Sequence, residues 1–504
     1  MKLHKDFGKN ILRSFNFFIF ATSMAKSLKE KTSAGLFWSA VNNGSTQLLN
    51  LIIGIFLGRL LTPAEYGVVG VLAIFIAVAG VLQNSGFTTG LINMKEPSAQ
   101  DYNSVFWFNI FGSITIYVVL FFCAPLIAVF FHQPCLTEVS RILFLSLPIS
   151  AMGTSYGAYM TKNMMNHEMA IIAIAALLIS GITSIFLAYS GFSYWSLVVQ
   201  QLIYTTISNF GRVYYVSWHP TFQINFKPVK GMFRFCSKLL ITHIINVVNQ
   251  QLLTFIFGRI FPIYVVGNYS QANKWTTMGS SIIQNTVGQI SQTILVSVSD
   301  ERDREIRVFR KLLRFTAFFS FPMMFGLSLV SKEFILVTIG EKWIESAAML
   351  QILCLGSAFI PFYIIYHHLV ISCGRSDLYM WGNIGQIVIQ LILVLSLFRY
   401  GIMSIIWAYT SLNITWLIIW QIFAHRLIKI KFLDTIKDIL PFAFISLAIM
   451  IVTWYLTMSI SNIYLLLISR IILAATFYIA IMKLFKVKMM EECINFFVKR
   501  VLKR

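Results

Sequence analysis

The chain has 504 residues, of which 57% are hydrophobic and only 12% charged, against roughly 25% charged in soluble domains. So large an apolar share must face lipid as well as itself, which excludes an ordinary soluble enzyme. The formal net charge of +21 does not mark a nucleic-acid binder either, because Lys and Arg cluster in short segments between apolar runs, where they act as membrane topology signals.

A helix crossing ~30 Å of hydrocarbon needs ~20 mostly apolar residues, since lipid offers the backbone no hydrogen-bond partners. Residues 1–33 are basic and hold only a short apolar stretch at 15–20, which predicts a cytoplasmic or interfacial N-terminal segment without a signal-peptide core. Fourteen runs of spanning length follow, near 36–60, 66–91, 104–130, 139–161, 168–188, 193–216, 239–260, 263–296, 313–331, 346–371, 378–398, 402–424, 439–459 and 463–482. Basic residues gather on one side of them: Lys227, Lys230, Arg234 and Lys238 precede the seventh run, and Arg302, Arg304, Arg307, Arg310, Lys311 and Arg314 lead into the ninth. Arg426, Lys429, Lys431 and Lys437 lie between the twelfth and thirteenth. Retention of these segments in the cytoplasm places both termini inside.

The expected fold is all-α and integral to the membrane. Two pseudo-symmetric six-helix bundles (34–216 and 239–424) are joined by a cytoplasmic linker (217–238). A further pair of helices (425–485) and a basic amphipathic tail (486–504) follow, the tail lying on the inner surface. A repeat supports the two halves. At an offset of 200, Leu57-Gly58-Arg59-Leu60-Leu61 aligns with Phe257-Gly258-Arg259-Ile260-Phe261, Gly67 with Gly267, Asn50 with Gln250 and Asn43 with His243. Halves of six spans each repeat in parallel, about an axis along the membrane normal.

Charge within hydrocarbon costs ~2.5–3.5 kcal/mol on insertion scales, so an intramembrane ion is a functional candidate by default. All 19 acidic residues fall in predicted loops or at helix ends. Lys274, by contrast, lies ~15 Å into the eighth run and is expected to face a cavity. Arg59 and Arg259 sit nearer helix ends, in the cavity or at the interface. Arg212, Arg141 and Arg470 are expected to snorkel to the headgroups. Neutral polar groups follow the same pattern. Asn43, Gln47 and Asn50 share one face of the first span, and Asn246, Asn249 and Gln250, with His243, line the seventh. Amides and cations without carboxylates suit an anionic, hydroxyl-rich substrate, because cations pair with phosphate oxygens and amides with sugar hydroxyls.

The six cysteines are scattered and read as inert thiols, although Cys123 and Cys135 could meet outside the membrane. His367 and His368 are adjacent and point about 100° apart on a helix, so no metal site is expected there, and no cofactor and no catalytic group.

The runs Gly58-Arg59-Leu60-Leu61-Thr62-Pro63-Ala64-Glu65-Tyr66-Gly67, Asn84-Ser85-Gly86-Phe87-Thr88-Thr89-Gly90-Leu91-Ile92 and Asn103-Ser104-Val105-Phe106-Trp107 resemble the Wzx-type polysaccharide flippases. These form the polysaccharide-transport branch of the MOP exporter superfamily, with MATE drug exporters and MurJ-type lipid II flippases. The resemblance is dense over residues 24–165 and makes Met24 a candidate start. It implies movement of an undecaprenyl-diphosphate-linked oligosaccharide across the bacterial inner membrane for O-antigen, capsule or exopolysaccharide synthesis. A cationic central cavity would hold the diphosphate at Lys274, Arg59 and Arg259. The implied partners are membrane lipids, a polysaccharide polymerase and a chain-length regulator, with the flippase itself a monomer. Two alternatives stand beside this: a MATE-like multidrug exporter, disfavoured by the lack of a buried acid in the first half, and a membrane glycosyl-transfer enzyme such as a polymerase or ligase, disfavoured by the absence of a large outer loop.

Overall fold

In the computed structural model, residues 28–84, 86–298, 301–487 and 489–491 are described, and every regular element among them is a helix. Expectations for residues 1–27, for the start at Met24 and for most of the 486–504 tail lie outside the described residues. The first half holds α1 (Leu28–Leu60), α2 (Pro63–Gly70), α3 (Ala73–Asn84), α4 (Phe87–Asn93), α5 (Ala99–Phe130), α6 (Leu136–Leu143), α7 (Ser146–Lys162), α8 (Asn166–Tyr189) and α9 (Trp195–Tyr215). The second holds α10 (Lys227–Ile260), α11 (Ile263–Ser297), α12 (Arg302–Leu329), α13 (Ser331–Thr338), α14 (Ile344–Ser357), α15 (Ile360–Ser372), α16 (Ser376–Leu397) and α17 (Ile402–Ile428). The helices α18 (Phe432–Leu456) and α19 (Ile463–Leu484) follow.

All fourteen expected runs fall on helix, but several are broken where the sequence demands it. The run at 66–91 divides into α2, α3 and α4, and the break between α3 and α4 falls where Gly86 takes a left-handed conformation (φ +74°) that a side chain adopts only under strain. A Cβ there would also come within 3.0 Å of the Cys236 carbonyl oxygen on α10. Gly86→Val should therefore destabilise the fold by about 1–3 kcal/mol, measured as a lowered unfolding temperature in detergent. Helix starts are equally legible. Thr62 and Glu65 form a reciprocal capping box ahead of α2, with the Thr62 amide donating to the Glu65 carboxylate at 2.6 Å, and Ser98 and Asp101 do the same for α5. The basic segment expected as a linker is helical from Lys227, so its cations ride on the first turns of α10.

Eleven helical segments among the described residues are long and apolar enough to cross a membrane, and the chain is a multi-pass membrane protein. By that measure α1, α9 and α11 fall short. The physical reason in α1 and α11 is their amide content: Asn42, Asn43, Gln47 and Asn50 in one, Asn268, Gln271, Asn273 and Gln284 in the other.

In the first half, α1 lies along α8, α8 along α9, and α5 against α7; in the second, α11 lies against α14 and α15, and α14 against α17. Helix α18 runs beside α12, fixed at its basic end by Arg310, whose Nε donates to Asp438 Oδ2 at 2.6 Å. The five described cysteines, Cys123 and Cys135 included, are free thiols.

Candidate functional site

The two halves meet through a crossing of α2 and α11 at the end away from the basic loops, here called the outer end. The contact is reciprocal. A Cβ on Gly67 would overlap the Ile263 carbonyl oxygen, and one on Gly267 would overlap the Pro63 carbonyl oxygen. Next along the crossing, a Cβ on Gly70 would lie 2.7 Å from Ser270 Oγ. These pairs are related by the offset of 200, so each half presents the same small-residue ridge to the other, and the repeat is realised as a self-complementary contact.

On α11 the crossing face runs 263, 267, 270 at helical spacing, and the next position on it is 274. Lys274 therefore points at the first half, where its counterpart at the same offset is Ile74. Because a helical Cβ tilts toward the N-terminus, the side chain leans outward along α11, and a Cβ on Gly54 of α1 would lie 2.8 Å from its Nζ. The ammonium stands 6.0 Å from the Tyr66 ring centre and 5.6 Å from that of Trp275, within cation–π range of both. Among the described residues it has no hydrogen-bond acceptor and no carboxylate within ion-pair range.

Its neighbours are unsatisfied too. Tyr66 Oη, Ser270 Oγ, both amide atoms of Gln271 and Trp275 Nε1 are buried without a hydrogen-bond partner among the described residues. Each such group costs about 1–3 kcal/mol relative to a bonded one, so this concentration is not what stability alone would select. The cluster combines one cation, an amide, two hydroxyls and two aromatic rings, which is the chemistry that binds an anion joined to hydroxyl-bearing rings. Inward of it, Gln47 Nε2 donates to Ser281 Oγ across the seam at 3.2 Å.

The two repeat arginines lie elsewhere. Arg59 is exposed at the outer end and donates from Nε to the Thr338 carbonyl and from Nη2 to the Val337 carbonyl, both at 2.6 Å. It thereby caps the C-terminus of α13, where carbonyls lack partners and the helix dipole favours a cation. Returning contacts run from Lys342 Nζ to the Arg59 carbonyl (2.7 Å) and from Trp343 Nε1 to the Gly58 carbonyl (2.8 Å). Arg259 reaches the other way, with Nη1 2.6 Å from His132 Nδ1 and the guanidinium 5.2 Å from the Phe130 ring centre. Each arginine thus ties its own half to the opposite one at that end.

Of the amide positions, Gln47 and Asn50 are half-buried on α1 and Asn43 is exposed. On α10, His243 and Gln250 are exposed and Asn249 is half-buried, while Asn246 Nδ2 donates to Tyr379 Oη at 2.9 Å, within the second half. The structure brings Gln47 to the seam with Lys274 and turns Asn246 away from it. Arg470 does not snorkel: it is buried and pairs with Glu333 at 2.8 Å. Tyr66, Gln271 and Trp275 escaped the sequence reading. Gln271 and Trp275 flank Lys274 on α11, and Tyr66 lies beside Gly67 on α2.

The family model described as a polysaccharide biosynthesis protein matches residues 56–348. The lipopolysaccharide biosynthesis protein WzxC of Escherichia coli (strain K12) is 26% identical over 337 residues, 65% of this chain and 67% of that protein. Among solved structures, the lipid II flippase MurJ in an inward closed conformation is similar over 89% of this chain and 98% of that one, with a TM-score of 0.69 at 16% identity. An inward-facing multidrug resistance MATE family transporter of the MOP superfamily covers 76% of this chain and 94% of its own, with a TM-score of 0.57 at 14% identity. Both structural likenesses concern the fold, which agrees with the expected MOP-type architecture. The family match spans more than half of the sequence and includes the α1–α2 motif, the seam and Lys274, and on that ground the chain belongs to the polysaccharide biosynthesis protein family.

Proposed function

We propose that this protein is a flippase carrying an oligosaccharide linked to undecaprenyl diphosphate from the inner to the outer leaflet of a bacterial cytoplasmic membrane. The observation that carries the reading is the Lys274 ammonium, which sits on the seam between the halves with no anion beside it among the described residues. An anion supplied by the substrate would complete the pairing that the chain leaves open. Gln271, Tyr66 and Gln47 would meet sugar hydroxyls, and the lipid tail would stay in the bilayer.

In this reading all fourteen helical runs cross the membrane as two six-helix bundles with α18 and α19 beside the second, and both termini lie inside. Alternating access follows from the seam. The outer end is closed by Arg59, Arg259 and the glycine crossing, and the halves rock about Lys274 to open it. Arg59 and Arg259 act as ties of the closed outer end, and Lys274 takes the diphosphate alone.

Deletion of the gene should abolish surface polysaccharide, assayed by gel and antibody, and leave drug tolerance unchanged. Intact polysaccharide with a loss of drug tolerance would replace the flippase reading by the exporter one.

A further inference from the structure

The short helix α13 is held from two sides. At its C-terminal end the carbonyls of Val337 and Thr338 receive Arg59 from the first half. At its N-terminal end the buried Glu333 meets Arg470, which comes from α19 and therefore from outside both repeated halves. Beyond this ion pair, Arg470 Nε donates to Thr457 Oγ1 at 3.2 Å, just past the end of α18, and Nη1 donates to the Leu329 carbonyl at 3.3 Å, at the end of α12. One guanidinium thus joins α12, α13 and α18 through α19. The next residues, Ile339, Lys342 and Trp343, press on or bond to Gly58 and Arg59 of α1.

A buried cation seven residues into a lipid-facing helix is costly unless paired, and apolar residues of similar volume in place of the Arg470–Glu333 pair would anchor α19 about as well. The pairing instead fixes where α13 stands, and α13 carries the carbonyls that Arg59 grips. We infer that Arg470 is a positioning residue for the outer seal: the C-terminal helix pair holds α13 through Glu333, and so stabilises the form closed at its outer end. The added pair is then a brace on one conformation of the transport cycle.

The test measures conformation and needs no substrate. In a full-length protein whose native cysteines are replaced by serine, Gln271→Cys reports opening of the outer end to a membrane-impermeant maleimide applied outside. In a parallel protein, Gln47→Cys reports opening of the inner end in inverted vesicles. Arg470→Met alone leaves Glu333 unpaired and can fail to fold, so Arg470→Met is combined with Glu333→Gln, which buries no lone charge. The double variant should label at Gln271→Cys at least several-fold faster than its parent, with no increase at Gln47→Cys. An unchanged or slower outer rate would overturn the inference. So would a rise at both sites together, which would mean general loosening of the fold.

Discussion

Gly267→Ala should shift the protein toward a form open at its outer end and lower polysaccharide export several-fold or more. The added methyl would overlap the Pro63 carbonyl oxygen and crowd the Gly67 amide nitrogen at 3.0 Å, and both obstacles are backbone. Backbone atoms at a helix start have no rotamer to change, so α2 and α11 must part by roughly 1.5 Å to regain normal contact. Overpacking of a tight interface costs about 1–3 kcal/mol, which displaces a two-state equilibrium by roughly 5- to 150-fold. Gly67→Ala should act alike, because the contact is reciprocal. An unaltered outer labelling rate for both variants would show that this crossing does not hold the outer end shut.

Lys274→Ala should reduce surface polysaccharide to a few per cent or less, with normal protein levels in the membrane. A hydrogen bond to a charged group is worth about 1.5–3 kcal/mol, so losing the Lys274 ammonium should weaken a diphosphate's hold roughly 10- to 150-fold. Lys274→Arg keeps the charge and should retain part of the activity, although the planar guanidinium must find room against Gly54 and Trp275. The variant lacking the charge should be at least as stable as the parent, since it removes a half-buried ion that has no partner among the described residues. Loss of export together with retained or raised stability separates a substrate role from a structural one.

Much of the architecture could be read from periodicity and composition. Every expected run falls on helix, because the length and apolarity that lipid imposes leave the backbone no alternative. The breaks at Gly86 and the helical start at Lys227 were less visible. The first depends on a close approach between α4 and α10 that only the fold creates, and the second on a polar segment that continues a helix beyond the bilayer. For the candidate site, the depth of Lys274 in its run put it forward, and the structure places it on the α2–α11 crossing. Arg59 and Arg259 looked like its companions because the repeat joins them to the same motif. Their position near helix ends carried the other possibility, and the carbonyls and the imidazole that they meet come from distant segments. Arg470 was misjudged for a related reason: its partner Glu333 lies 137 positions earlier, in a helix too short to stand out by periodicity. Tyr66, Gln271 and Trp275 were hidden by burial, since an amide or an indole becomes conspicuous only when its lack of a partner is seen.

The role proposed for the Lys274 ammonium is to receive the diphosphate of a lipid-linked sugar. Its most direct test is the affinity of the purified protein in nanodiscs for undecaprenyl diphosphate, compared between the parent and Lys274→Ala. The parent should bind at least tenfold more tightly, and rising salt should narrow the gap. Equal affinity of a folded Lys274→Ala protein would contradict the account.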